Sequence, residues 1–281
     1  MITAERGTSV EVAGVDTFYI QKGAGPALVM IHGGAPGACA RVNWGANIDF
    51  FAENGFTVYA FDQPGYGRSG DPPQADYSME FRVTHAKAFI DQLGLGEFDL
   101  VGNSQGSYIV ARLALEDPRV RRLVLVSSGT LAPRGDAESD RISREHAERL
   151  AEYEPSLENC WSLTRQTLFN QERVTEDLVR ERYAMSTGRN HEVQAQRRAA
   201  PTPRPITGEL KNLTVPTLLM WGANDSGVAL ERSLLLFKMI PGAELHIFDR
   251  CAHWVQWDQA ERFNAIALGF LHSHSWVSSQ G

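Results

Sequence analysis

A serine set between two glycines, Gly102-Asn103-Ser104-Gln105-Gly106, is the segment of this chain best equipped for chemistry. It follows a short apolar run, Phe98-Asp99-Leu100-Val101, and precedes a helical pattern from Ser107 to Glu116 that Pro118 stops. A strand that turns sharply into a helix crowds the residues two before and two after the turn, so glycine is wanted at both places. The serine hydroxyl is thereby pushed into the open. The backbone N–H of Gln105 then sits at a helix N-terminus, where developing negative charge is favoured. The pattern predicts a nucleophile elbow and serine chemistry, without specifying which reaction.

A serine hydroxyl is a weak nucleophile at neutral pH and needs a base whose tautomer is fixed by a third group. Of the eight histidines, His253 is best placed. It follows the apolar run Leu245-His246-Ile247-Phe248 by a short loop and precedes the last helical pattern. His85, His146 and His191 fall in helical patterns, His246 lies within a strand, and His272 and His274 sit in the terminal tail. Asp225, just after the run Leu218-Leu219-Met220-Trp221, is the expected orienting acid. Asp249 competes by proximity to His253, but strand-end position and chain order favour Asp225. Ser104, Asp225, His253 is the order in which α/β-hydrolases present their triad. The loop Ile31-His32-Gly33-Gly34-Ala35-Pro36-Gly37 offers a second oxyanion donor, with the N–H of Gly34 expected opposite that of Gln105. His32 reads as a brace of that loop, and Asp62-Gln63-Pro64-Gly65-Tyr66-Gly67-Arg68-Ser69 as a strand-end turn.

These residues need a scaffold that brings strand ends together. Residues 8 to 21 predict a hairpin turning at Gly14, and short apolar runs follow at Ala27–Ile31, Phe56–Phe61, Phe98–Val101, Arg122–Ser127, Pro216–Trp221 and Glu244–Phe248. Most are continuous rather than alternating, as strands of a parallel sheet buried on both faces are. Helical patterns lie between them. Met79, Val83, Ala86, Ile90 and Leu93 share one face after a Ser78 cap, with Gly94 closing the segment, and Phe263, Ile266, Ala267, Phe270 and Leu271 share another. From Ala132 to Gly208 no strand pattern appears. This predicts an α/β fold, a mostly parallel sheet flanked by helices, with a core of residues 1–131 and 209–281 and an inserted helical lid at 132–208. The lid's apolar positions, Leu157, Trp161, Leu168, Phe169, Leu178 and Met185, suggest that it covers something.

At 281 residues the chain suits one domain plus a lid. A formal charge of −7 with interspersed basic residues argues against a nucleic-acid partner and for a small organic substrate. Cys39, Cys160 and Cys251 are far apart, with no metal-ligand spacing, so a reducing cytoplasm and neither metal nor cofactor are expected. No signal-like N-terminal stretch and no membrane-spanning run is present, which predicts a cytoplasmic protein with no membrane partner.

Taken together, the residues resemble the meta-cleavage product hydrolases, serine-type α/β-hydrolases that split carbon–carbon bonds in 2-hydroxy-6-oxo-hexa-2,4-dienoates from aromatic ring opening. The likeness spans nearly the whole chain. It is carried by His32-Gly33-Gly34-Ala35-Pro36-Gly37-Ala38 with Asn43 following, by Gly102-Asn103-Ser104, by Arg182 in the lid, and by Cys251-Ala252-His253-Trp254-Val255-Gln256-Trp257. The resemblance implies that Asn43, Asn103 and Arg182 hold the dienoate carboxylate and its neighbouring oxygen, that Trp254 lies against the substrate, and that the protein is a homo-oligomer, a dimer or larger. The sequence bears on Arg182 directly. Leu178, Arg182 and Met185 fall at i, i+4 and i+7 after a Thr175 cap, so Arg182 shares the apolar face while Arg180 does not. A charge on a buried face needs a partner, and a bound carboxylate supplies one.

Three departures accompany the resemblance. Ala35 replaces a usual glycine, Gln105-Gly106-Ser107 replaces the commoner methionine and double glycine, and Asn224 stands where an acid is frequent. The expected activity is hydrolysis of a ring-cleavage dienoate, with a carboxylesterase or lactone hydrolase as the nearest rival. A ligand receptor built on the hydrolase scaffold is the rival of another class.

Overall fold

The computed structural model describes residues 7–273. Its single sheet has eight strands, β1 (Thr8–Val12), β2 (Val15–Gly23), β3 (Ala27–Ile31), β4 (Thr57–Phe61), β5 (Phe98–Asn103), β6 (Val120–Val126), β7 (Thr217–Gly222) and β8 (Glu244–Phe248). Their spatial order is β1-β2-β4-β3-β5-β6-β7-β8. β2 pairs antiparallel with both β1 and β4, and every pairing from β4 through to β8 is parallel. The hairpin turns at Ala13 and Gly14, both with positive φ, the geometry that a two-residue turn between twisted strands requires.

Among the described residues twelve α-helices lie between and after the strands: α1 (Ala40–Trp44), α2 (Ile48–Glu53), α3 (Met79–Gln92), α4 (Gln105–Glu116), α5 (Ala137–Ala151), α6 (Leu157–Thr167), α7 (Glu176–Ala184), α8 (Arg189–Glu192), α9 (Gln194–Ala199), α10 (Leu230–Met239), α11 (Val255–Asp258) and α12 (Ala260–Ser273). None is long and apolar enough to cross a membrane among the described residues. The continuous apolar runs have a direct explanation. Side chains alternate across a strand, so Val29, Ile31, Leu100, Leu123, Leu125, Leu219 and Trp221 face one layer, formed with α3, α4 and α10. Leu28, Met30, Val101, Val124, Val126, Leu218 and Met220 face the other, formed with α1, α2 and α12.

Two expectations are corrected. β8 is an edge strand with Ile247 43 % exposed, so its apolar run is not buried on both faces. His272 belongs to α12, against Phe56, rather than to a tail, while His274 lies outside the described residues. Helices α5 to α9 occupy the 132–208 insertion, and Asp136, Ser156 and Thr175 cap α5, α6 and α7 through side-chain acceptors. Cys160, Leu168, Val174, Leu178 and Val179 form a small core that packs on Val42 and Trp254, so the insertion is anchored over the strand ends. Phe169 does not join it; this ring is 39 % exposed.

The crossing of β5 and α4 is where the fold has no spare room. A Cβ on Gly102 would lie 2.5 Å from the Gly106 carbonyl oxygen, and one on Gly106 would overlap the Ile31 carbonyl oxygen at the end of β3. Gly106→Ala is expected to destabilise the protein by about 1–3 kcal/mol, read as a lowered urea midpoint, because a backbone atom rather than a flexible side chain must move. A second expectation concerns acid. His85 is buried on α3 with its ring 2.8 Å from the Thr17 hydroxyl, and burial pushes its pKa down to about 4 from 6.5. Its folded-state preference for the neutral ring is therefore fully present above pH 6.5 and lost as pH falls toward 4. Urea unfolding at pH 7 and near pH 4.5 should show His85→Gln losing roughly 2–3 kcal/mol less than the wild type.

Candidate active site

Ser104 stands between β5 and α4 with φ of +54°, a left-handed conformation that a serine adopts only when its surroundings impose it. α4 begins at Gln105, two residues earlier than its apolar pattern suggests, which makes the Gln105 N–H the first of the helix. Ser104 N donates to Val126 O at 2.8 Å, and Ser128 Oγ donates to Ser104 O at 2.8 Å. Ser107 explains its own departure from glycine: its hydroxyl donates to Gly102 O at 2.6 Å and accepts from Val126 N at 3.2 Å, pinning the elbow to β6.

His253 and Asp225 are brought together from two loops. His253 Nδ1 lies 2.8 Å from Asp225 Oδ2, while Asp225 Oδ1 accepts from the N–H groups of Gly227 and Val228 at 2.8 and 2.9 Å. In a neutral ring, donation from Nδ1 across that contact leaves Nε2 as the acceptor nitrogen. Asn224 staples the two loops, its N–H donating to Cys251 O at 2.8 Å and its Oδ1 accepting from Cys251 N at 3.3 Å. Asp249 is exposed on the strand end and takes no part. Ser104 and His253 both line one cavity of about 280 Å³.

The glycine loop after β3 borders the same cavity. A Cβ on Gly33 would lie 3.1 Å from the Ser104 Cβ, and one on Gly34 would overlap the Gln105 side chain. His32 is the brace that its position suggested: Gln63 N donates to Nε2 at 2.9 Å, and Nδ1 faces Gly33 O at 2.6 Å. Burial pushes the His32 pKa to about 3, so the ring stays neutral and keeps both contacts. Tyr66 adds a third tie by donating its hydroxyl to Gly34 O at 3.1 Å. Asp62 holds the strand-end turn, accepting from Ala40 N at 2.7 Å and Arg68 N at 2.9 Å.

Arg182 lines the same cavity. It is 1 % exposed on α7, donates from Nε to Pro36 O at 3.2 Å, and reaches Thr164 and Thr167 hydroxyls at 3.2 and 3.4 Å. Its guanidinium lies 4.7 Å over the Trp254 ring. Among the described residues no carboxylate is within ion-pair distance, and its Nη2 is buried without a hydrogen-bond partner. Burial pulls its pKa down to about 10, so it still carries its charge at neutral pH. Beside it, Asn43 Nδ2 donates to Asn103 Oδ1 at 3.1 Å, and Asn43 Oδ1 is buried without a partner. The cavity thus joins a serine, a histidine–aspartate pair, and an unpaired cation with an unfilled amide beside it.

Three contributors escaped the sequence reading. His146, set aside as a helical residue, lies on α5 with its ring 5.9 Å from that of His253, and a Cβ on Gly227 would come within 3.1 Å of the His146 ring. Burial, with His253 beside it, pushes its pKa to about 4. Arg232 on α10 donates to the carbonyls of Gly129, Ala132 and Pro133 and to Ser143 Oγ, tying α5 to the end of β6. Asp258 accepts from Ala252 N, Phe169 N and Asn170 N at 2.7 to 2.8 Å and so joins the histidine loop to the lid. Each is a lone polar residue whose partners are distant in sequence, and no local pattern marks it.

Residues 26–260 match the family described by the alpha/beta hydrolase fold. A 2-hydroxy-6-oxononadienedioate/2-hydroxy-6-oxononatrienedioate hydrolase of Burkholderia vietnamiensis is 34 % identical over 95 % of this chain and 93 % of its own. The chain belongs to the meta-cleavage product hydrolases, within the α/β-hydrolase fold. A 2-hydroxy-6-oxo-6-phenylhexa-2,4-dienoate hydrolase of Burkholderia cepacia is 31 % identical over 96 % of both chains. A meta-cleavage product hydrolase structure from Pseudomonas fluorescens superposes with a TM-score of 0.85 at 31 % identity, covering 95 % of this chain and 98 % of that one.

The His253–Asp225 contact gives this hydrolase a test that needs no substrate. A fluorophosphonate should label Ser104, identified by peptide mass spectrometry. Asp225→Asn should slow labelling by about 10³–10⁴-fold by releasing the wrong tautomer. Equal labelling rates would mean that the pair does not serve the serine.

Proposed function

We propose that this chain hydrolyses the carbon–carbon bond of a 2-hydroxy-6-oxo-hexa-2,4-dienoate, using Ser104, His253 and Asp225 as its catalytic triad. The observation that carries the reading is Arg182, a buried cation with no internal counter-charge, in the same cavity as Ser104 and His253. An ester hydrolase expels an alkoxide and has no use for such a group. Breaking a carbon–carbon bond expels a carbanion, which is tolerable only when it delocalises toward a keto acid whose charge is stabilised.

In this reading the dienoate carboxylate pairs with Arg182, Asn43 and Asn103 hold the neighbouring oxygen, and Trp254 covers the chain. His253 first helps move the enol proton to carbon, giving the keto form. Ser104, or water in its place, then attacks the distal ketone while His253 takes its proton. The N–H groups of Gly34 and Gln105 receive the oxyanion. Collapse breaks the carbon–carbon bond, and the electron pair passes into the keto acid to give the 2-hydroxydienoate. Water completes release of a carboxylic acid. Support comes from the braced glycine loop, the stapled triad loops and the names of the relatives.

Mixing the protein with a dienoate and following loss of its visible absorbance tests this. Wild type should bleach the substrate over many turnovers. Ser104→Ala should lose at least about 10³-fold, and Arg182→Ala about 10²-fold or more with aryl-ester hydrolysis little changed. No bleaching with any dienoate would overturn the reading. So would aryl-ester turnover that greatly exceeds dienoate turnover and survives Arg182→Ala, which would indicate an esterase.

A further inference from the structure

A second cavity, of about 300 Å³, meets the catalytic one at Gly34, Gln105, Ala147 and Leu150. Three arginines line it: exposed Arg198, which donates to the Leu150 and Ala151 carbonyls, and two that are more buried. Arg82 on α3 is 3 % exposed, donates from Nη1 to Gln105 Oε1 at 3.0 Å, and keeps its Nε buried with no hydrogen-bond partner. Arg197 on α9 donates to the carbonyls of Gly65 and Asn190. The guanidinium groups lie 5.1 and 4.2 Å from the Tyr66 ring centre, and Tyr66 donates in turn to the oxyanion loop at Gly34 O. Among the described residues neither arginine has a carboxylate within ion-pair distance. Asp71, in the neighbouring turn, is engaged by Arg189 at 2.5 Å.

Two like charges sharing one aromatic ring in a desolvated site are costly unless an anion joins them. The π-cloud offsets part of the repulsion, and main-chain carbonyls take some donors, but the net charge remains. An uncharged aryl or alkyl group would leave it unpaired. A carboxylate would meet guanidinium donors from both the core and the lid.

We propose that this second cavity is a carboxylate subsite, built by Arg82 and Arg197 around Tyr66, that receives an acidic group on the ketone-side substituent of the substrate. The inference rests on the reading above, in which Arg182 holds the dienoate carboxylate; a second carboxylate can then only lie beyond the ketone. The substrate is a dioic dienoate and one product is a dicarboxylic acid. Gln105 connects the two regions, since its N–H points to the oxyanion and its side-chain oxygen accepts from Arg82. A methionine there would leave Arg82 without that acceptor.

The experiment compares two dienoates, one with a carboxyethyl group on the ketone and one with a propyl group, in wild type, Arg82→Met and Arg197→Met. Wild type should favour the acidic substrate in kcat/KM by at least about tenfold. Arg197→Met should abolish that preference, mostly through KM, and leave the propyl substrate within about twofold. Arg197, from the lid, keeps the test usable if Arg82→Met does not fold. A wild-type preference for the propyl substrate, or equal losses on both substrates in Arg197→Met, would overturn the subsite. Should neither dienoate turn over, the proposed reaction fails by itself, and succinate binding by calorimetry decides the subsite: binding to wild type but not to Arg197→Met supports it, and no binding overturns it.

Discussion

Everything at the site depends on one crowded crossing, where β5 turns into α4 beneath the end of β3. Glycines at 102 and 106 let backbones approach to distances that no side chain would permit. Ser104 is held at positive φ as the consequence. The strain is local, and hydrogen bonds hold it: the Ser107 and Ser128 hydroxyls donate to Gly102 O and Ser104 O, and Ser104 N donates to Val126 O. The same crossing sets the Gln105 N–H at the start of a helix and presses the glycine loop against it. The positive-φ serine and the helix-initiating N–H of Gln105 are thus two results of one packing constraint.

A second theme is charge kept in a low-dielectric place. Arg182, Arg82 and Arg197 are largely buried cations whose protein partners are hydroxyls, carbonyls, an amide and aromatic rings rather than carboxylates. Elsewhere some buried charges are ion-paired, Asp99 with Arg121 and Arg122 and Arg112 with Glu80 and Glu116, while buried Arg232 is satisfied by carbonyls and a hydroxyl. Arg232 thus uses its donors on protein groups, whereas Arg182 and Arg82 each keep a buried N–H without a hydrogen-bond partner.

The helices between β6 and β7 are joined to this arrangement by polar ties as well as by apolar contact. Asp258 gathers three N–H groups from the histidine loop and the segment after α6, and Arg232 gathers carbonyls at the end of β6 together with a hydroxyl of α5. Displacing these helices would leave buried polar groups unsatisfied, so their position is coupled to the loops that carry Asp225 and His253.

The strands, the glycine spacing around Ser104, the strand-end positions of Asp225 and His253 and the apolar face of the Arg182 helix are written in local pattern. Period, glycine spacing and strand-end position are properties of consecutive residues, and they remain legible without knowledge of the fold. The edge exposure of β8 was not legible, because burial of an apolar run depends on which strand lies beside it. Nor was the place of His146, Arg232 and Asp258, each of which acts through partners tens of residues away. The departures at Gln105, Ser107 and Asn224 looked in sequence like weakened motifs. Tertiary structure shows them as acceptor, brace and staple. Residue types and order name the chemistry because a nucleophile and its base have few possible forms. Long-range packing alone decides which cations lack a counter-charge and which cavity they face, since the free energy of a buried charge depends on everything around it.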